Sequence, residues 1–184
     1  MNDLLDVESL VEAFRDGFRP KFLFFWGHHP QADGRIGKGC LSQWWPVAFE
    51  VEGVIYRTAE HYMMAEKARL FGDAAARERV IAASHPGEAK KLGREVQGFD
   101  EQLWAQHRFD IVVRGNRAKF GQHEDLKAFL LSGRNRVLVE ASPVDRIWGI
   151  GLAEDDVRAQ EPEAWQGLNL LGFALMVVRN GLIG

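Results

Sequence analysis

The chain is poor in cysteine. Cys40 is its sole thiol, so an internal disulfide framework is excluded and a reducing, cytoplasmic setting is expected. Nothing beside Cys40 in the sequence would activate it, which argues against a thiol nucleophile. No apolar run approaches the roughly 18 residues of a membrane span, so no membrane partner is expected. Positive charge is not in excess either. Lys and Arg total 23 against 26 Asp and Glu, a net charge of −3, which excludes a surface built throughout to hold a polyanion but leaves room for a local basic region. The opening residues, Met-Asn-Asp-Leu-Leu-Asp-Val-Glu, are acidic, so no signal peptide is expected. Gly-x-Gly-x-x-Gly and Gly-x-x-x-x-Gly-Lys loops are missing, as are His-x-x-x-His and Cys-x-x-Cys pairs. His28 and His29 are adjacent, and adjacent histidines rarely chelate one ion. Neither a metal nor a cofactor is expected.

What remains is an ordinary globular composition of 46% hydrophobic and 27% charged residues in 184, with six tryptophans that are many for this size. The expectation is a helix-dominated α+β fold with a few short strands, a single domain over 1–184 whose N-terminal helix (1–20) is peripheral. Leu4, Val7, Leu10, Val11 and Phe14 follow helical spacing up to Asp16-Gly17. Lys21–Trp26 is short and aromatic, which favours a buried strand, and Gly27–Gly39 is a loop. Pro46–Val51 and Val54–Tyr56 flank a Glu52-Gly53 turn, predicting a hairpin. Helices are expected over Asp73–Ala83, from Pro86 to about Val96 with Ser84 or His85 as cap, after an Asp100 cap, and around Leu126, Phe129 and Leu130 up to Gly133. Val137–Ala141 reads as the last strand, Ser142–Gly167 as a long irregular connection, and Asn169–Asn180 as the closing helix with Asn169 as its cap.

The helix that draws attention follows Thr58. Glu60, Met63, Met64 and Lys67 fall at i, i+3, i+4 and i+7, so they share one face. A carboxylate and an amine two turns apart, separated by two thioethers, suit neither a plain core face nor a plain solvent face. The pattern reads as the wall of a cleft. An amine flanked by Met63 and Met64 would be desolvated, which lowers its pKa and frees it as a nucleophile.

A second cluster is Glu140-Ala-Ser-Pro-Val-Asp145-Arg-Ile-Trp148-Gly149-Ile-Gly151, where a strand ends and an Asp precedes a Trp-Gly-x-Gly. Glycines beside a tryptophan let backbone approach a ligand while the ring offers a stacking face. A plain turn with a core tryptophan accounts for the same spacing. Leu41-Ser42-Gln43-Trp44-Trp45 carries two adjacent tryptophans that cannot both point inward from extended chain, so one lies near the surface or lines a cleft. Arg108, Arg114, Arg117 and Lys119 could bind phosphate or be solvated helix charges.

Taken in order, Phe25, Leu41-Ser42-Gln43, Thr58-Ala-Glu60-His61-Tyr62 with Lys67, Trp104, Ala118-Lys119-Phe120, Leu130-Leu131, Glu140 with Asp145 and Trp148-Gly149-x-Gly151, and Gly167-x-Asn169-x-Leu171-Gly172 with Leu175-Met176 and Arg179 resemble the NADAR (YbiA-like) family from about residue 22 to 184. The resemblance implies an N-glycosidase. Some members cleave phosphorylated ribosylamino-pyrimidine intermediates of riboflavin biosynthesis, which here would release ribose 5-phosphate. Others remove ADP-ribose from guanine, and a non-catalytic ADP-ribose or NAD-binding module is a further alternative. The partner implied is a small phosphoribosyl or ADP-ribosyl molecule, with nucleic acid entering under the guanine alternative alone. Carried over by position, the catalytic set is Glu60, Lys67 and Asp145. The substrate-binding set is Phe25, Ser42, Trp44, Trp104, Lys119, Trp148, Gly149 and Asn169. The tryptophans would sandwich a planar base, Lys119 or a neighbouring Arg would take phosphate, and Lys67 would attack the anomeric carbon. Gln43 stands where the family usually has Asn.

Overall fold

The computed structural model describes residues 5–183. In chain order its elements are α1 (Val7–Arg15), β1 (Phe22–Phe25), β2 (Phe49–Val51), β3 (Val54–Tyr56), α2 (Ala59–Leu70), α3 (Ala74–Ala82), α4 (Pro86–Arg94), α5 (Glu101–Gln122), α6 (Glu124–Ser132), β4 (Val137–Glu140) and α7 (Leu170–Gly181). Short 3-10 turns cover Lys38–Leu41, Val157–Gln160 and Pro162–Ala164. The class is α+β, dominated by helices. The chain forms two compact units, one built from the chain up to Ser42 together with the chain from Asp125 onward, the other from Gln43–Glu124.

In the first unit, α1 starts at a reciprocal cap in which Ser9 N–H donates to the Asp6 carboxylate at 2.8 Å and Asp6 N–H donates to Ser9 Oγ. Leu4, expected in this helix, lies outside the described residues. The aromatic run forms β1, and it pairs in parallel with β4, Phe22 opposite Val137 through Phe25 opposite Glu140. Strands buried this way read as continuous apolar runs, as Val137-Leu-Val139 does. Helix α7 packs on β4 closely because Gly172 has no side chain there; a Cβ would overlap the Leu138 carbonyl.

Asn169 holds the N-cap position of α7 but does not cap it. Its backbone is left-handed, with φ 50°, whereas a capping side chain needs an extended backbone to reach the first N–H groups. Its amide instead serves β4: Oδ1 accepts from Glu140 N–H at 2.9 Å and Nδ2 donates to the Leu138 carbonyl at 3.0 Å. The long connection before it is ordered by backbone bonds, among them Ile150 N–H to Glu140 O, Gln166 N–H to Ile150 O and Asn169 N–H to Gly149 O. A groove of about 550 Å³ lies between α1 and the Pro162 turn, lined by Val7, Val11, Pro162 and Trp165 and by none of the expected site residues.

In the second unit, Glu52 and Gly53 both have positive φ (52° and 79°), the backbone of a two-residue hairpin turn matched to strand twist. The resulting ladder sets Phe49 opposite Tyr56 and Val51 opposite Val54. The first strand starts at Phe49 rather than Pro46, since proline has no N–H to give and Val47 N–H closes a turn onto the Trp45 carbonyl. Asp73, His85 and Asp100 cap α3, α4 and α5 with their side chains. At the far end of α5, Gln122 exchanges hydrogen bonds with both backbone groups of Glu50, tying the helix to β2.

Candidate active site

Helix α2 is buried from Ala59 to Ala68, so its polar residues are held by neighbours rather than by water. Thr58 caps it, accepting from His61 N–H, while the Thr58 hydroxyl lies 2.8 Å from His61 Nδ1. His61 Nε2 faces the Ala83 carbonyl at 3.2 Å, which fixes the neutral ring with its proton on Nε2. Burial pushes the His61 pKa down, consistent with that neutral form. Glu60, 3% exposed, sits in the first turn, where its backbone N–H donates to the Gln43 carbonyl at 3.0 Å. Gln43 is itself buried and accepts from Asn116 Nδ2 at 2.8 Å. Gln43 therefore holds the start of α2 through its backbone carbonyl.

At the other end of the helix, Lys67 is 9% exposed. Its ammonium lies 4.1 Å from the centre of the Phe99 ring and 5.7 Å from that of Trp104. Among the described residues no carboxylate or carbonyl lies within bonding distance of it. Burial is the main reason its pKa falls below the usual lysine value; Glu101 opposes the shift and Arg94 adds to it. Two aromatic faces are among the groups that cover Lys67. Met63 Sδ meets Gln43 Nε2, and Met64 packs into the space left by Gly93 of α4. Along the stripe of four, Glu60 N–H and Met63 Sδ both meet Gln43, Met64 meets α4 at Gly93, and Lys67 meets two rings.

Trp104, 7% exposed, lies beside Lys67, whose ammonium faces its ring. Of the adjacent tryptophans, Trp45 is buried and Trp44 half-buried, its ring beside Gly87 in the first turn of α4. Lys119 is wholly buried, within 4.9 Å of the neighbouring Phe120 ring. Arg114 reaches Glu66, a buried carboxylate that also takes a forked pair of bonds from Arg69 at 2.9 to 3.0 Å. Arg117 is exposed, and Arg108 is buried.

In the first unit, Asp145 is half-buried and its Oδ1 accepts from the N–H groups of Ile147 (2.9 Å) and Trp148 (2.7 Å). Ser142 Oγ in turn accepts from Asp145 N–H. Gly149 is packed so tightly that a Cβ would lie 2.8 Å from the Glu140 carbonyl. Trp148 is half-buried, while Phe25 at the end of β1 is fully buried. Ser42 is half-buried at the end of the first 3-10 turn, with its N–H on Gly39 O. No group of three or more His, Cys, Asp or Glu among the described residues is arranged to hold a metal.

The NADAR domain family matches residues 24–183, which takes in both units and leaves out α1. The chain belongs to the NADAR family. It is 43% identical over 164 residues to N-glycosidase R617 of Acanthamoeba polyphaga mimivirus, covering 86% of this chain and 95% of that one. It is 33% identical over 138 residues to N-glycosidase YbiA of Escherichia coli, covering 75% and 76%. A chloroplastic riboflavin biosynthesis protein PYRR of Zea mays is 35% identical over 134 residues, but the match spans 20% of that longer chain. The NMR structure of E. coli YbiA superposes with a TM-score of 0.72 at 27% identity, covering 90% of this chain and 87% of that one. For a NADAR chain the sequence reading missed Phe99, the nearest ring to Lys67, and Glu66, the buried acceptor of two arginines. Phe99 follows Gly98 in the link before α5, and no periodicity marks it. No helix among the described residues is long and apolar enough to cross a membrane.

Proposed function

We propose that this N-glycosidase hydrolyses the bond between the anomeric carbon and nitrogen in a phosphorylated ribosylamino-pyrimidine, releasing ribose 5-phosphate. The observation that carries the reading is Lys67: a nearly buried amine on two aromatic faces, with no acceptor bonded to it among the described residues. Structural lysines are stabilised by oxygen partners, whereas an amine deprived of water without one keeps a larger neutral fraction, even though ring faces favour its ammonium form. The neutral amine attacks the anomeric carbon as the C–N bond breaks, and the leaving nitrogen carries away the bond's electron pair and takes up a proton. Loss of a proton from the new aminoglycoside and opening of the sugar ring give an imine on Lys67. Water adds to that imine, and collapse of the adduct returns the amine and frees the sugar aldehyde. The sum is one glycoside and one water to one base and one ribose 5-phosphate.

Glu60 is assigned the proton transfers, because its backbone is fixed through Gln43 and it shares the helix with Lys67 roughly 10 Å away along the axis. Asp145 is assigned the stabilisation of positive charge on the sugar, by resemblance and by the general need of glycoside chemistry for a carboxylate there. Names among the relatives support the substrate class: the Vibrio vulnificus riboflavin biosynthesis protein VVA0006 is 31% identical over 144 residues, which span 35% of its length. The experiment incubates the protein with the riboflavin-pathway ribosylamines and follows ribose 5-phosphate. Borohydride added during turnover should reduce the imine and attach the sugar to Lys67, as read by peptide mass. Full turnover with no adduct, or an adduct on another lysine, would remove Lys67 from the mechanism.

A further inference from the structure

The reading above leaves the phosphate without a holder. Lys119 is fully buried and carries no planar fork, while Arg114 and Arg117 are exposed on α5 and keep their water. Arg108 differs from all three. It is 9% exposed; among the described residues its buried Nε has no hydrogen-bond partner, and its one ion pair is a long 3.4 Å contact from Nη1 to Glu101, itself largely exposed. A guanidinium taken out of water and left with an unused N–H is unfavourable unless something else completes it.

Its position says what that is. Glu101, Trp104 and Arg108 fall at i, i+3 and i+7 on α5, one stripe of the helix. Trp104, in the middle of that stripe, carries the Lys67 ammonium on its ring. A sugar whose anomeric carbon meets Lys67 therefore lies against a helix face that presents a planar, five-donor fork one turn further on. Phosphate oxygens match such a fork in two parallel bonds, which an ammonium cannot offer.

We propose that Arg108 binds the 5′-phosphate of the substrate ribose, displacing its long contact to Glu101. This rests on Lys67 marking the reacting end of the site. The shared ligand chemistry is a ribose phosphorylated at its 5′ position, as a monoester or within the diphosphate of ADP-ribose.

The test is calorimetric titration of the whole chain with ribose 5-phosphate, ADP-ribose and plain ribose, for the wild type, Arg108→Gln and Arg108→Lys. Arg108→Gln should weaken ribose 5-phosphate binding by about 10- to 100-fold, with Arg108→Lys between the two and ribose binding alike in all three. A larger loss for ribose 5-phosphate than for ADP-ribose assigns the monoester, and the reverse assigns the diphosphate. Unchanged affinity for both phosphorylated ligands in Arg108→Gln overturns the proposal. So does an equal loss for ribose and ribose 5-phosphate in Arg108→Lys, since that marks a packing role. Because binding is read without turnover, a protein that cleaves no ribosylamine still answers the question about Arg108.

Discussion

Helices α2 and α7 are both 12 residues long and both mostly buried, yet their compositions have little in common. Leu171 to Val178 is apolar but for Gly172, and the buried charge of α7 is Arg179, whose Nη1 donates to the Arg136 carbonyl at 2.8 Å. Helix α2 buries Glu60, His61, Glu66 and Lys67. His61 and Glu66 are stabilised by bonds to oxygen and guanidinium, as buried polar groups in a stable fold usually are. Lys67 is not: its neighbours are π faces. Burial pushes the pKa of both cations down, but a guanidinium stays charged at any physiological pH, whereas an amine can lose its proton. The difference is what the proposed mechanism draws on: Arg179 has an oxygen partner and a fixed charge, and Lys67 has ring neighbours and a proton it can lose.

Replacing each cation by methionine should divide the two roles most sharply. Lys67→Met should lower kcat/KM by about a thousandfold or more while leaving stability within about 1 kcal/mol of the wild type, since a desolvated charge gives way to an apolar chain of similar length. Arg179→Met should do the opposite. It strips the Arg136 carbonyl of its partner and should cost about 1–3 kcal/mol, with kcat little changed. Urea midpoints and steady-state kinetics on both variants suffice, and an inactive Arg179→Met beside an active Lys67→Met would invert the comparison.

The packing around α2 gives a second, smaller effect. A Cβ on Gly115 of α5 would overlap the Tyr62 ring, which is wedged edge-on against Tyr56 (5.0 Å between centres) and beside Phe49. A Cβ on Gly93 of α4 would overlap Met64, whose three rotatable bonds let it move aside. Gly115→Ala should therefore cost about 1–3 kcal/mol, and Gly93→Ala distinctly less. Equal thermal shifts in the two variants would mean that Tyr62 is not pinned.

Much of this frame is legible in the sequence because local chemistry sets it. Asp73, His85 and Asp100 are side-chain caps that announce α3, α4 and α5, and Glu52-Gly53 announces the hairpin. The same local rule fails at Asn169, a good cap by residue type, whose amide is recruited by β4 instead. For the site, spacing singles out Lys67 but not what surrounds it. Methionines at i−3 and i−4 are the local candidates, while the two rings that face its ammonium, Phe99 and Trp104, come from the link before α5 and the start of α5. Burial of Lys119 is equally invisible, since a lysine after Ala118 on a helix reads as a solvated charge until the tertiary fold covers it.

The finest test concerns how the neighbours of Lys67 set its protonation. Burial is the largest influence and lowers the pKa from 10.5, Glu101 pulls it up, and Arg94 pushes it down. In the proposed mechanism the neutral amine is the reactive form, so kcat/KM should rise with pH through the lowered pKa and level off before an ordinary lysine would titrate. Stability follows the same sign. Between the folded pKa and 10.5 the unfolded chain binds the extra proton, so stability climbs as pH rises through that window, and this climb should vanish in Lys67→Met. Arg94→Gln removes a charge that favours the neutral amine and should move the alkaline limb of the rate profile up. Glu101→Gln removes one that favours the ammonium and should move it down. Shifts of opposite sign from two exposed residues on different helices require that both act on one amine; shifts of the same sign, or none, would mean that the limb belongs to another group.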